Sequence, residues 1–208
     1  MHLKIRYRGK LLHPDRVTPL REEVEDICRS NGWEYHLWTE DWSKPNTLIM
    51  AEGKFEGHAP LQGIGFNPGA QMETVWLTFT PDGMINSLFS LINPLFTGND
   101  AAYPWNRVKT SFGDARGHAG ICNLFRYVAG KYFADFQVLE ETGYWIHGDY
   151  ARLEKFMDQA AREYSQLEEE IDAVQANENI PSDKREEIIY ELLRQFGKRN
   201  PPYSAEED

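Results

Sequence analysis

With 208 residues, 41% of them hydrophobic and 13% aromatic, the chain can build one good core, or one core with an appendage, but has too little material for two full domains. Its formal net charge of −11 repels nucleic acid phosphates and anionic bilayers, which argues against both as partners. The charge is uneven: residues 149–208 hold 16 acidic and 8 basic side chains, whereas residues 1–148 hold 17 and 14.

The opening Met1-His2-Leu3-Lys4-Ile5-Arg6 alternates charged and apolar residues and lacks the continuous apolar stretch of a secretory signal, so a cytoplasmic protein is expected. Leu3, Ile5 and Tyr7 alternate with Lys4, Arg6 and Arg8, the period of a strand with one wet face. A helix follows from about Pro19 to Asn31, with Thr18 as its cap, Leu20, Val24, Ile27 and Cys28 as its apolar stripe and Gly32 as its stop. Trp33, Tyr35 and Leu37 resume a period of two. Further strands are expected near Leu48–Glu52, Leu61–Phe66, Val75–Thr80 and Met84–Phe89, the last two joined by the turn Thr80-Pro81-Asp82-Gly83. The apolar run Met84–Phe96 is interrupted by Asn86, Ser87, Ser90, Asn93 and Pro94, well short of the roughly 18 to 20 apolar residues of a membrane span.

After a long connection, 93–106, a strand over Arg107–Phe112, a helix over Gly117–Tyr132 and a strand through Phe136 and Val138 repeat the opening order. The likeness is a weak strand-helix-strand duplication, no stronger than a shared hydrophobic pattern produces. The two cysteines, Cys28 and Cys122, each fall on an apolar helical stripe and read as buried thiols.

From Asp149 onward Tyr150, Leu153, Met157, Ala160, Tyr164, Leu167, Ile171 and Val174 recur at alternating spacings of three and four, a narrow helical seam. Asn177, Asn179 and Pro181 interrupt it. Asp183 and Glu186 then form a capping box for a second helix carrying Ile188, Ile189, Leu192, Leu193 and Phe196, with Gly197 as its stop. That helix is shorter than the seam it must cover. The expected organisation is an α+β sheet domain over 1–148, an acidic helical hairpin over 149–200 and a disordered tail over 201–208. The fold is α+β: a largely antiparallel sheet of about seven to nine strands with two packed helices and the C-terminal hairpin.

Chemistry is sparsely signposted. Gly113-Asp114-Ala115-Arg116-Gly117-His118-Ala119-Gly120 resembles a phosphate-binding glycine loop, and Glu140 stands where a ribose-binding acid would. Its G-x-x-x-G-x-x-G spacing departs from the dinucleotide fingerprint, and no run of parallel βα units follows. Arg116 at the helix start is a candidate anion ligand. Asp114, His118 and Cys122, spaced four apart, together with His147 and Asp149, are candidates for catalysis if the fold brings them together. Two cysteines with no further cluster name no metal and no cofactor.

Lys4, Arg6, Arg8, Arg107 and Lys109 would form a cationic sheet face if their strands lie side by side; charged strand edges also guard against aggregation. Trp38, Trp76 and Trp145 are the aromatic ligand-binding candidates, since Trp side chains line grooves as well as cores. No complete catalytic set is visible. The expectation is a non-enzymatic protein-interaction or accessory protein whose 149–200 hairpin contacts a protein, itself or another. The alternative is a small-ligand- or metal-dependent enzyme using the Gly113–Cys122 loop and helix with His147 and Asp149.

Overall fold

A computed structural model describes residues 3–69, 71–92, 104–111 and 113–199. The first strand, β1 (Lys4–Leu11), buries Ile5 and Tyr7 and turns its basic residues outward, as the period of two requires. A 3₁₀ turn, Pro14–Arg16, leads into α1 (Val17–Asn31), so Thr18 lies inside the helix instead of capping it; the chain enters already coiled. Gly32 closes α1 in the left-handed conformation at φ 67°. Then come β2 (Glu34–Thr39), the small hairpin β3 (Ile49–Ala51) and β4 (Lys54–Glu56), β5 (Gln62–Asn67) and β6 (Val75–Phe79).

The strand expected at Met84–Phe89 is confined to bridges at Met84 and Ile85, after which the chain turns into the short helix α2 (Leu88–Ile92). Ser87 and Ser90 trade backbone and hydroxyl hydrogen bonds there, N–H to Oγ in both directions at 2.8 and 3.2 Å, and this local capping overrides the extended pattern. Residues 93–103 of the expected connection lie outside the described residues, as does the tail 201–208. β7 (Asn106–Lys109), α3 (Ala115–Tyr132) and β8 (Phe133–Glu140) follow, then the single turn α4 (Tyr144–His147) and the long helices α5 (Tyr150–Ala176) and α6 (Ser182–Arg199). α6 runs through Gly197, which does not stop it.

Every described strand pair is antiparallel. The strands divide into a sheet of order β7-β1-β8, a second of order β2-β5-β6 and the β3-β4 hairpin, where the sequence implied one larger sheet. Bridges from Lys10 to Met84 and from Phe79 to Ile85 stitch the two larger sheets together at one end. Tyr7 adds a further link, its hydroxyl accepting from Trp76 N at 2.8 Å and donating to Trp76 O at 3.0 Å, and at the other end Glu73 N donates to Lys109 O at 3.1 Å.

The two strand-helix-strand units are wired differently. β7 and β8 flank β1 in one sheet, while β1 and β2 belong to separate sheets, so their likeness is one of hydrophobic pattern. α1 and α3 bury Leu20, Val24, Ile121, Phe125 and Val128 in the common core. Glu23 joins them at the surface by accepting from Lys131 Nζ at 2.8 Å and from the hydroxyls of Tyr127 and Tyr132.

The seam of α5 is shared between two partners. Leu153, Met157 and Ala160 are buried in the main core, so the first half of α5 belongs to the sheet domain, whereas Tyr164 meets Phe196 of α6 at 5.0 Å between ring centroids.

Candidate functional site

The glycines of the 113–120 stretch are explained by packing. A Cβ on Gly113 or Gly117 would come within 2.1 or 2.7 Å of Met72 Cε, and one on Gly120 within 3.0 Å of the Trp33 ring. Each glycine lets a neighbouring side chain lie against the start of α3. Asp114 caps that helix, its carboxylate accepting from Gly117 N at 2.7 Å. Arg116 is exposed on the first turn, at the rim of a cleft of about 460 Å³ that Trp33, Gly120 and Tyr150 also border.

His118 points inward. Its Nδ1 lies 2.9 Å from Thr110 Oγ1 and its Nε2 3.0 Å from Glu140 Oε1. The same carboxylate accepts from Thr142 N at 2.6 Å and from Trp145 N at 3.1 Å. Burial alone would push the Glu140 carboxyl up, but the hydrogen bonds from His118 and Thr142 outweigh it and hold the group at about 2. A hydroxyl, an imidazole and a carboxylate in line is the order that activates a nucleophile. Here all three side chains are closed to solvent, and the line ties the end of β7 through α3 to the end of β8.

Both ring nitrogens of His118 are thus occupied, while His147 is exposed at the end of α4 and Asp149 caps α5 by accepting from Arg152 N at 3.0 Å. Cys122 is buried one turn after His118, its thiol pushed up by desolvation and by the charge of Glu140. The structure therefore brings His118 to Glu140 and Thr110, not to His147 or Asp149. Among the described residues no group of three or more His, Cys, Asp or Glu side chains is arranged to hold a metal ion. No described helix is long and apolar enough to cross a membrane.

Comparison with known proteins found no match among protein-family models, curated proteins or solved structures.

The aromatic candidates separate into two environments. Trp145 lies beneath Arg126, whose guanidinium sits 5.1 Å from its ring and donates to the carbonyls of Tyr144 and Trp145 at 2.6 Å, an arrangement that holds α4 against α3. Trp38 and Trp76 stand together on the outer face of β2-β5-β6, 5.8 Å apart, over Gly65 of the central strand. Their inner ends pack on a small second cluster of Leu48, Ala59, Leu61 and Leu88.

On the far side of Trp76 a cavity of about 560 Å³ is bordered by residues of β6, β7 and α2. Trp105, Phe89, Met72 and Asn106 are among its walls. Sequence reasoning missed Asn106 and Trp105 because residues far apart in the chain meet there only through the sheet pairing. On the other large sheet, Lys4 stands opposite Lys109 and Arg6 opposite Arg107, so the basic residues of the two strands do share one surface.

In the outer half of the hairpin, by contrast, no residue of α5 beyond Ala160 and no described residue of α6 is fully buried. Tyr190 is 70% and Leu193 49% exposed, and their spacing of three sets them on one face of α6.

Proposed function

We propose that this chain is a non-enzymatic protein-interaction or accessory protein, with the outer half of the α5–α6 hairpin as its contact arm. One observation carries the reading: the apolar seam is fully covered where α5 meets the sheet domain, at Leu153, Met157 and Ala160, and only half covered beyond it, with Tyr190 and Leu193 open to solvent. Two helices alone leave such a seam short of partners, and a third completes it.

The charge around the arm selects the partner. Glu168, Glu169, Glu170 and Asp172 are exposed on α5, and Glu186 and Glu187 precede Tyr190 by one turn on α6. A second copy of this chain would bring the same negative charge; an amphipathic helix flanked by Lys and Arg complements it.

The test is titration of the full chain with a Lys/Leu amphipathic helical peptide, alongside light scattering of the chain by itself. A monomer that binds the peptide saturably, more weakly at high salt and more weakly again as Leu193→Glu, supports the reading. Leu193→Glu adds negative charge, so simple ion exchange would strengthen with it. Binding indifferent to that change, no binding, or a tight dimer of the free chain overturns it.

A further inference from the structure

The outward face of β7-β1-β8 is cationic. Ile5, Tyr7 and Val108 are buried on the inner side, so the alternation of the strands turns Lys4, Arg6, Arg8 and Lys10 of β1 and Arg107 and Lys109 of β7 the other way. Lys4 stands opposite Lys109 and Arg6 opposite Arg107, and like charges directly opposite each other are destabilising. β8 adds Asp135 and Glu141, the latter 3.9 Å from Lys4 Nζ, and Glu73 reaches the β7 edge at Lys109 N. The cations still outnumber these carboxylates. Protection against aggregation does not account for them, because guarding charges belong on edge strands and Lys4, Arg6, Arg8 and Lys10 sit on the central one. Such a face attracts an anion.

The chain carries an acidic segment to the same end of the sheet. α6 returns beside α5, with Arg185 Nη1 donating to Gln175 O at 3.2 Å near the turn and Phe196 against Tyr164 near its other end. Arg199 therefore lies about one turn beyond Phe196. The Tyr164 hydroxyl faces Ser111, whose Oγ donates to Leu3 O at 3.1 Å. Ser111 follows Lys109 and Thr110, and Leu3 precedes Lys4, so α6 delivers the chain beside the facing pair Lys4 and Lys109. Beyond it the sequence reads Asn200-Pro201-Pro202-Tyr203-Ser204-Ala205-Glu206-Glu207-Asp208, with three adjacent acids and no base. Nine residues can span about 30 Å, whereas β7, four residues long, covers about 13 Å.

We propose that Glu206, Glu207 and Asp208 lie on this cationic face of their own chain, their carboxylates against Lys4, Arg6, Arg107 and Lys109. The tether decides between occupants. A segment joined to the fold by a few residues meets the face at an effective concentration in the millimolar range, so weak ion pairs suffice. A separate polyanion such as a nucleic acid approaches a chain of net charge −11 and must also displace that segment.

Paramagnetic broadening reads the contact directly. Both native cysteines, Cys28 and Cys122, are buried, so a nitroxide on Ala205→Cys is placed selectively, and residues 3–199 keep their own sequence. In the isotope-labelled full chain at low salt, the amides of Lys4–Arg8 and Arg107–Lys109 are expected to lose most of their intensity. That loss should reverse in 1 M NaCl, where the screening length falls to about 3 Å, and again when Glu206→Gln, Glu207→Gln and Asp208→Asn are combined. No loss at low salt, a loss centred on another surface, or a loss that survives either salt or neutralisation overturns the proposal. Loss in isotope-labelled chains without nitroxide, mixed with nitroxide-bearing chains, would assign the contact to a second copy and overturn it too. The experiment contains no peptide, so its result is independent of the hairpin reading.

Discussion

His118 Nε2 lies 3.0 Å from Glu140 Oε1, with both side chains closed to solvent, and this pair fastens the middle of the core to the loop that launches the C-terminal helices. Because Glu140 falls from its ordinary 4.5 to about 2 in the folded chain, its stabilisation is complete above pH 4.5 and is lost as pH falls through that window toward 2. The amount at stake is on the order of 3 kcal/mol. Urea unfolding at neutral pH and near pH 3 should show this acid limb in the wild type. Glu140→Ala should remove the limb and cost about 3–5 kcal/mol at neutral pH, since it strands a buried polar ring. A variant with an undiminished acid limb would assign the effect to other carboxylates.

The glycines of α3 make opposite predictions within one helix. Gly120→Val should destabilise by about 1–3 kcal/mol, because the Trp33 ring 3.0 Å from the new Cβ is itself stacked on Phe66, with rings 5° from parallel, and cannot swing away. Gly117→Ala meets chiefly the flexible end of Met72, with the Asp114 carboxylate next at 3.2 Å, so its cost should shrink without vanishing when Met72→Ala is added, a coupling that a double-mutant cycle reads directly. Gly130 has nothing within 4 Å of its would-be Cβ, and Gly130→Ala should stabilise by about 0.5–1 kcal/mol through helix propensity. A phosphate-binding role for the loop would show instead as stabilisation of the wild type by phosphate or nucleotides.

Periodicity made α1, α3 and the long helices readable, because their apolar stripes run for several turns and tertiary packing agrees with local preference. It failed where three to five residues decide. β4 has three exposed residues and no alternation to detect, α4 is one turn enclosed by Gly143 and Gly148, and α2 starts after Ser87, which trades hydrogen bonds with Ser90 inside the helix, in an apolar run that also reads as strand. The His118 network was half visible: a histidine among Ala115, Ile121, Cys122 and Phe125 is on the buried face and must have partners. Which partners depends on β1 pairing with β7 on one side and β8 on the other, and a linear pattern does not carry that. The same limit hid the cavity, whose walls Trp76 and Trp105 lie far apart in the chain and meet only in the fold.

The cysteines give a test that also bears on catalysis by Cys122. Burial pushes Cys28 up to about 12 and Cys122 upward as well, so neither supplies thiolate at neutral pH. The native chain should therefore leave an aromatic disulfide reagent unreacted over minutes and release two equivalents of thiol once unfolded in guanidinium. Fast reaction of a single native thiol that Cys122→Ser abolishes would restore Cys122 as a reactive group.

The division of the α5 seam predicts where the core ends. Leu153 and Met157 are closed to solvent within the main cluster, so Leu153→Ala or Met157→Ala should cost about 2–5 kcal/mol of global stability. Ile171 and Leu192 are only half-buried in the outer hairpin, and their truncation to Ala should cost clearly less, about 1 kcal/mol, because less area leaves water and the site can relax. Hydrogen exchange should show the same boundary: amides of α5 before Ala160 protected to the level of α3, those beyond Tyr164 opening with α6 at lower free energy. Equal protection along the whole of α5 would mean that the hairpin folds as one unit with the sheets, and the contact arm proposed above would then be as rigid as the core that carries it.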